Sequence, residues 1–261
     1  MLCLARGILS VAFAALLSLA ASVAAAETPQ RTPILVYHRF GPVLADDMTV
    51  RTATFQGQLS LIEAHGYTVL PLKALLASLG EGTDSARLPE RSVVLTVDDG
   101  HRTVYSDLFP LIKRYRLPVT LFIYPSAISN ADYALTWPQL AEMRASGLVD
   151  VQSHTFWHPN FNVERQRLAP VAYERVVRDQ LTKSKTILEQ RLGGKVDLLA
   201  WPFGIHDSQL EAWAAESGYV AAFTIERRPV TGADRPMALP RYIVMDSDRA
   251  SAFEALLAGR R

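Results

Sequence analysis

The sequence predicts an α/β protein built on a mostly parallel sheet. Short β-branched runs alternate with amphipathic stretches of helical length, which is typical of β-α-β units. Most of the short runs are continuously apolar, as parallel strands buried on both faces are. This pattern fits an open sheet and a closed barrel equally well. No repeat, low-complexity tract or long linker interrupts the chain, so we expect a single domain.

Seven segments are predicted as strands because they are short, apolar and rich in β-branched residues. They are Ile34–Tyr37, Ser92–Val97, Val119–Ile123, Val149–Ser153, Leu198–Trp201, Val220–Thr224 and Tyr242–Val244. Two stretches rich in Gly, Pro, Asp and Arg are predicted as loops, Gly80–Arg91 and Arg227–Leu239. Neither loop is long enough to separate two domains.

Six amphipathic stretches are predicted as helices. In the first, Thr54 is the expected N-cap, Phe55, Leu59 and Ile62 share one face, and Gly66 ends the helix. The other five are Thr103–Arg116, Thr136–Ser146, Ala172–Leu192, Asp207–Ser217 and Asp248–Leu257. The last two begin with an Asp suited to capping.

Residues 1–26 are predicted to be an export signal. Their one charge, Arg6, precedes the apolar run Ile8–Ala26, which ends in three alanines before Glu27. The alternative is a retained membrane anchor, because the stretch is nearly long enough to span a bilayer. We therefore expect residues 27–261 to form one domain that works in the periplasm or outside the cell, in contact with the membrane only through an uncleaved signal.

The composition limits the possible partners and sites. The chain has 27 basic and 26 acidic residues, so loss of Arg6 leaves a balanced domain, which argues against nucleic acid as the main partner. The one cysteine is Cys3, so no disulfide or thiolate metal site is expected after the signal. With 49% hydrophobic and 20% charged residues, the composition is that of an ordinary soluble globular protein.

Asp98 and Asp99 follow the second predicted strand. Active sites of α/β folds are assembled at the C-terminal ends of strands, and Gly100 lets the backbone turn so that both carboxylates reach one centre. An Asp-Asp pair alone is weak evidence, since such pairs also arise by chance. The pair Asp46-Asp47 has no strand before it, and we expect it to be solvated surface.

His154 and His158 are a more specific signal, because they follow the fourth predicted strand at an i, i+4 spacing. That spacing places two imidazoles on one side of a helical turn, where both can bind one metal ion. The alternative is two structural histidines. With one carboxylate of the Asp pair they form a set suited to Zn²⁺ or another divalent first-row metal, and the second carboxylate is left as a general base. The sequence therefore predicts metal-assisted hydrolysis.

Two segments resemble motifs of the polysaccharide deacetylases, carbohydrate esterase family 4 with its NodB-type domain. They are Thr96-Val97-Asp98-Asp99-Gly100 and His154-Thr155-Phe156-Trp157-His158. The resemblance extends from Pro33 to about Val244 and implies a distorted (β/α) barrel with about seven parallel strands. It also implies roles: Asp98 as catalytic base, and Asp99, His154 and His158 as metal ligands. In Pro202-Phe203-Gly204, the backbone N–H of Phe203 would help to hold the oxyanion.

The sequence departs from the family pattern in two places. Many members have an Arg two residues before this Pro, where the chain has Ala200. Many also have the general-acid His near the C-terminal end of the domain, whereas no His follows His206 in this chain. An early His38 instead resembles the branch that deacetylates poly-β-1,6-N-acetylglucosamine in biofilms, where the acid His comes from the N-terminal strand. The resemblance therefore implies that His38 is the general acid, with a structural histidine as the alternative.

Three further residues are expected near the reaction. Arg241, just before the last predicted strand, is hypothesised to replace the missing Arg by orienting Asp98, and the alternative is an ordinary surface arginine. Trp157, between the two candidate ligands, and Tyr37, beside His38, are expected with Phe203 at the substrate, although aromatic residues in such folds are more often core.

The expected reaction is metal-dependent removal of N-acetyl groups from an exported glycan, with poly-β-1,6-N-acetylglucosamine as the first substrate to test. The expected metal is Zn²⁺, with Co²⁺ or Ni²⁺ as alternatives, and proteins of an export system are candidate partners. Two other functions stay open. One is deacetylation of another acetylated glycan, such as peptidoglycan or an O-acetyl ester, and the other is a non-catalytic glycan-binding module, which only Ala200 favours.

Overall fold

The computed structural model describes residues 31–79 and 88–260. The predicted export signal and most of the first predicted loop lie outside these ranges. Among the described helices, none combines the length and the apolar character that crossing a membrane requires.

Strands and helices alternate along the described chain. The strands are β1 (Ile34–Tyr37), β2 (Arg39–Gly41), β3 (Thr49–Arg51), β4 (Thr68–Leu70), β5 (Ser92–Asp99), β6 (Val119–Ile123), β7 (Val149–Ser153), β8 (Leu198–Ala200), β9 (Ala221–Phe223) and β10 (Tyr242–Ile243). The helices are α1 (Thr52–Ala64), α2 (Leu72–Leu79), α3 (Phe109–Tyr115), α4 (Trp137–Ala145), α5 (Phe161–Arg167), α6 (Pro170–Leu192), α7 (Ser208–Glu216) and α8 (Ser251–Leu257). A π-helical turn, Val104–Leu108, leads directly into α3.

The main sheet is parallel and curls into a distorted barrel. Its strand order is β10-β1-β5-β6-β7-β8-β9, and β4 pairs with the first half of β5. Leu239, shortly before β10, also pairs in parallel with Phe223 of β9, so one segment links both edges of the sheet. The seven strands on this path are the seven predicted from sequence, which confirms the fold class. Their C-terminal ends meet on one face of the barrel, where side chains from distant segments come together.

Side chains alternate between the two faces of the strands. Along β5, Val93, Leu95 and Val97 belong to the apolar cluster that the helices cover, whereas Val94 belongs to a second cluster inside the barrel. Asp98 continues the inner row of β5, and only 2% of its surface is exposed. Full burial of each Leu, Ile or Val contributes about 1.5–3 kcal/mol, so the two clusters fix the strand ends on which the candidate site is built.

The helix caps agree only partly with the sequence. Thr136 and Asp207 cap α4 and α7 with their side chains as expected. Thr54 is not the N-cap of α1, because the helix begins two residues earlier, at Thr52. Asp248 does not cap α8, which begins only at Ser251, because its carboxylate accepts the backbone N–H of Met245 at 2.8 Å.

Asp46 and Asp47 differ in their surroundings. Asp47 is exposed, as expected for a solvated pair. Asp46 is half-buried, and its carboxylate accepts the backbone N–H of Met48 at 3.0 Å and the hydroxyl of Thr49 at 2.8 Å, and it pairs with Arg39. Asp46 therefore fixes the loop between β2 and β3, a role that the sequence did not indicate.

Candidate active site

Three side chains of the two motifs meet at the C-terminal ends of β5 and β7. The Oδ1 atom of Asp99 lies 3.6 Å from Nε2 of His154 and 3.7 Å from Nε2 of His158. One ligand atom from each residue lies within 4.8 Å of the other two. Neighbouring ligand atoms of a tetrahedral zinc site are about 3.3 Å apart, so the three residues fit a metal ion with little movement.

The orientation of His154 supports this fit. Its Nδ1 lies 2.8 Å from the carbonyl oxygen of Ala200, so the Nδ1–H donates there and Nε2 keeps its lone pair for a ligand. Burial lowers the pKa of His154 to about 3 and also lowers the pKa of His158. Both imidazoles are therefore neutral near pH 7, which is the form that binds metal.

The two histidines do not lie on a helical turn, which corrects the structural part of the prediction. Thr155 and His158 have left-handed φ angles of 64° and 65°, and the Thr155 hydroxyl oxygen accepts the His158 N–H at 3.2 Å. This tight loop brings the centroids of the His154 and His158 rings to 4.6 Å. The i, i+4 spacing thus joins the two rings through a loop rather than through a helix.

Strained backbone is concentrated at this site. Seven non-glycine residues of the described ranges have a positive φ, and four of them are Asp99, Thr155, His158 and Phe203. Each such conformation costs on the order of 1–3 kcal/mol and persists only where the surroundings enforce it. At Asp99 the strain forms a γ-turn, in which the Gly100 N–H donates to the Asp98 carbonyl at 2.9 Å. Gly100 itself has a φ of 84°, which residues with side chains rarely adopt, and a Cβ atom there would lie 2.8 Å from Cδ1 of Ile123, so glycine suits this position.

Asp98 is held by Arg241, which is completely buried. The two terminal nitrogens of the Arg241 guanidinium, Nη1 and Nη2, donate to the two carboxylate oxygens of Asp98 at 2.8 and 2.7 Å. The third nitrogen, Nε, donates to the Thr224 carbonyl at 3.1 Å. Burial alone would raise the pKa of Asp98, but Arg241, with His154 and His38, lowers it to about 2. Arg241 is thus no surface arginine, and it keeps Asp98 ionised.

His38 lies beside the two carboxylates. Strands β1 and β5 pair with Tyr37 opposite Val97, so His38 continues alongside Asp98. Burial lowers the pKa of His38, and the charges of Asp98 and Asp99 oppose that effect. The Nδ1 atom is buried without a hydrogen-bond partner among the described residues, which is unusual for a polar atom in a protein interior and typical of functional sites.

Tyr37 lies on the opposite side of the strand, which corrects its expected place at the substrate. Only 1% of its surface is exposed, and its ring packs against Phe40 and Phe55 at centroid distances of 5.6 and 5.3 Å. Its hydroxyl donates to Oε1 of Gln58 at 3.0 Å. Adjacent strand residues face opposite sides, so Tyr37 and His38 do not enter the same site.

Tyr37→Phe is therefore expected to leave kcat and KM within about twofold of the parent while lowering the free energy of unfolding by about 1–2 kcal/mol, because Gln58 loses a buried hydrogen bond. Steady-state kinetics and urea unfolding measure the two effects. A tenfold loss of turnover in a fully folded Tyr37→Phe protein would show that Tyr37 takes part in the reaction.

Exposed aromatic rings surround the cluster. Phe203 is 56% exposed and its ring lies edge-on to His158 at 4.6 Å, and Trp157 is 48% exposed. The ring of Tyr124, which no sequence motif indicated, lies 5.4 Å from that of His158. Tyr124 comes directly after β6, so the strand-end rule that selected Asp98 and His154 could have found it.

The fold and the cluster together define a barrel protein with a candidate metal site at the C-terminal ends of its strands. A family model described as "Polysaccharide deacetylase" matches residues 85–222, more than half of the chain. The chain belongs to the polysaccharide deacetylase family, whose enzymes hydrolyse acetyl groups from polysaccharides.

Named relatives and solved structures are similar over most of the chain. The poly-beta-1,6-N-acetyl-D-glucosamine N-deacetylase of Staphylococcus aureus (strain MRSA252) is 25% identical over 213 residues, which are 80% of this chain and 71% of the relative. The putative polysaccharide deacetylase YxkH of Bacillus subtilis (strain 168) is 26% identical over 88% of this chain and 77% of its own length. Two solved structures share the fold with a TM-score of 0.76 and 24% identity. The Streptococcus pyogenes deacetylase PplD, in complex with acetate, covers 90% of this chain and 100% of its own, and IcaB from Ammonifex degensii covers 88% and 96%.

Proposed function

We propose that this protein removes N-acetyl groups from poly-β-1,6-N-acetylglucosamine and that it uses Zn²⁺ held by Asp99, His154 and His158. The observation that carries the proposal is the juxtaposition of this ligand set with the Asp98–Arg241 pair and with His38 from the first strand. The choice of glycan is supported by the named activity of the staphylococcal relative and by the N-terminal position of His38.

The ligand set determines what a metal contributes. One carboxylate and two neutral imidazoles suit Zn²⁺ and leave positions open for water and substrate. A metal ion held by these three residues would supply Lewis acidity toward the acetyl carbonyl and would make a nearby water more acidic.

Asp98 is the base that takes a proton from the attacking water. Because its pKa is about 2, the carboxylate is ionised throughout the neutral range and is always ready to accept that proton. The two hydrogen bonds from Arg241 fix both carboxylate oxygens, which orients the base before the substrate binds.

Two groups act on the other side of the reaction. The backbone N–H of Phe203 donates to the oxyanion that forms when water adds to the acetyl carbon. As the carbon–nitrogen bond breaks, protonated His38 donates a proton to the departing amine. Burial lowers the pKa of His38, and the charges of Asp98 and Asp99 oppose that effect. The products are acetate and a glycan with a free amine, which is cationic at neutral pH. This reaction would take place outside the cytoplasm, where the polymer is exported.

The proposal is tested by acetate release from β-1,6-linked N-acetylglucosamine oligomers, with the protein as isolated, after chelation, and after addition of Zn²⁺ or Co²⁺. Release that stops on chelation and returns with metal is expected. Release from O-acetyl esters or peptidoglycan fragments alone would contradict the choice of glycan. Tight glycan binding with no release under any metal condition would identify a binding module.

His38→Ala is expected to lower kcat by about 10²-fold with little change in KM, because it removes the proton donor without touching the ligand set. His65→Ala is the matched control, since the His65 side chain is exposed, far in the chain from the two motifs, and pairs with Glu254 at 3.2 Å. Initial rates with the oligomer give both constants. Full activity of a folded His38→Ala protein would show that His38 is structural.

A further inference from the structure

Tyr133 has an exposed aromatic ring beside the candidate site, and this ring has no role in the proposed deacetylation. Its side chain lies on the segment between β6 and α4, and 45% of its surface is exposed. Exposed tyrosines are ordinary on protein surfaces, so exposure alone carries no conclusion. The contacts that hold this ring distinguish it.

The backbone around Tyr133 is fixed to the segment that follows Asp99. The carbonyl oxygen of Tyr133 accepts the N–H of Arg102 at 2.7 Å, and the N–H of Leu135 donates to the carbonyl of Gly100 at 2.9 Å. Between them, Ala134 pairs with His101 in an antiparallel bridge. Tyr133 is thus positioned by the same turn that places the carboxylates of the site.

The side chain of Tyr133 is held at two points. Its hydroxyl lies 3.0 Å from the hydroxyl of Tyr124, and its ring stacks on His101 at 6.3 Å with an angle of 12° between the planes. His101 is fixed in turn, because its Nδ1 lies 2.9 Å from the hydroxyl oxygen of Thr103. Tyr124, the other support, lies against the ring of His158.

These contacts make Tyr133 a rigid flat surface close to the reacting centre. A pyranose ring has an apolar face of C–H groups, and a tyrosine ring provides a matching contact area at a low cost in conformational entropy. A polymer bound across the site covers more than the sugar that reacts, so it needs contacts for neighbouring sugars. The rings of Phe203 and Tyr124 lie against His158, and Tyr133 lies one contact further out, through its hydrogen bond with Tyr124.

We propose that Tyr133 is a substrate-binding residue that stacks on the sugar next to the one that reacts, and that it gives the enzyme its preference for oligomers over the monosaccharide. The proposal rests on the proposed glycan deacetylase function and adds to it a residue that discriminates between substrate lengths. Tyr124 and His101 are its positioning residues.

The test compares Tyr133→Ala with the parent enzyme on a β-1,6-linked N-acetylglucosamine pentamer and on N-acetylglucosamine. For the pentamer, KM is expected to rise about tenfold while kcat stays within about twofold, and kcat/KM for the monosaccharide stays unchanged. Tyr133→Phe keeps the ring and is expected to retain a KM within about threefold of the parent. Tyr115→Ala is the matched control, because Tyr115 is 42% exposed at the end of α3.

Calorimetric titration of the pentamer into the same proteins separates this proposal from the function on which it rests. If the parent enzyme binds the pentamer without releasing acetate, and Tyr133→Ala binds the pentamer more weakly, the deacetylase function is contradicted and the stacking surface is supported. If the parent enzyme and Tyr133→Ala both release acetate from the pentamer with the same KM, only the stacking surface is contradicted. Equal losses on pentamer and monosaccharide would also overturn it, since they indicate general damage to the site.

Discussion

Asp98→Asn is expected to lower kcat by about 10³-fold, because the variant lacks the general base of the reaction. The amide has nearly the shape of the carboxylate but cannot accept the proton of the attacking water. Metal affinity is expected to stay within a few-fold, since Asp99, His154 and His158 provide the ligands. Acetate release at pH 7 and zinc binding by competition with a chromophoric chelator measure the two quantities.

Asp98→Asn leaves the buried charge of Arg241 without a partner, so its control must separate loss of the base from loss of stability. Arg241 is completely buried and donates to both oxygens of Asp98, so the asparagine variant retains an uncompensated guanidinium and loses stability. The double variant Asp98→Asn, Arg241→Gln removes both charges. If the loss of activity came from misfolding, the double variant would recover turnover. If Asp98 is the base, the double variant is folded and still inactive.

The strands of the barrel could be predicted because their burial is written in local sequence. Segments such as Val119–Ile123 are almost wholly apolar and are buried throughout, and that pattern leaves little choice of structure. Strands β2, β3 and β4 were not predicted, because each has only three residues and at least one of them is not buried, whereas the equally short β8 and β9 are buried throughout. At the end of β1 the alternation of side chains adds information, because the apolar pattern of the strand does not indicate that Tyr37 and His38 face opposite sides.

The candidate site could be predicted as a set of residues but not as a geometry. Strand ends and spacing selected Asp98, Asp99, His154 and His158, whereas the left-handed backbone at Asp99 and His158 has no sequence signature outside glycine and asparagine. The contact between Arg241 and Asp98 joins residues 143 positions apart, and the sequence suggested it only through the placement of Arg241 before the last strand and the missing Arg at Ala200. No sequence signal indicated Tyr133, because only the folded loop brings it to Tyr124 and His101.

Arg241→Met is expected to lower the free energy of unfolding by about 3–5 kcal/mol at pH 7 and kcat by about 10²-fold. Methionine keeps much of the side-chain volume between Phe122 and Phe223, over which the guanidinium lies at 5.3 and 5.9 Å, but it leaves the carboxylate of Asp98 buried and unpaired. Arg241→Lys is expected to recover part of both losses, because an ammonium restores the charge without the two parallel hydrogen bonds. Urea unfolding of the metal-free proteins and acetate release measure the two effects.

The pH dependence separates this charge pair from a general packing defect. In the parent, the pKa of Asp98 is lowered to about 2, so the pair stabilises the fold above the unfolded pKa near 3.8 and that contribution is lost as the pH falls toward 2. In Arg241→Met, burial without a counter-charge raises the pKa of Asp98, so the variant is penalised at neutral pH and relieved as the carboxyl group protonates. The difference in unfolding free energy between parent and variant should therefore shrink between pH 7 and pH 4. Arg191→Met, at an exposed arginine that lies over the ring of Trp137 and pairs with no carboxylate of the described residues, is the control and should show no such trend. A difference that stays constant with pH would mean that Arg241 stabilises the barrel by packing alone, and that Asp98 does not depend on it for its charge.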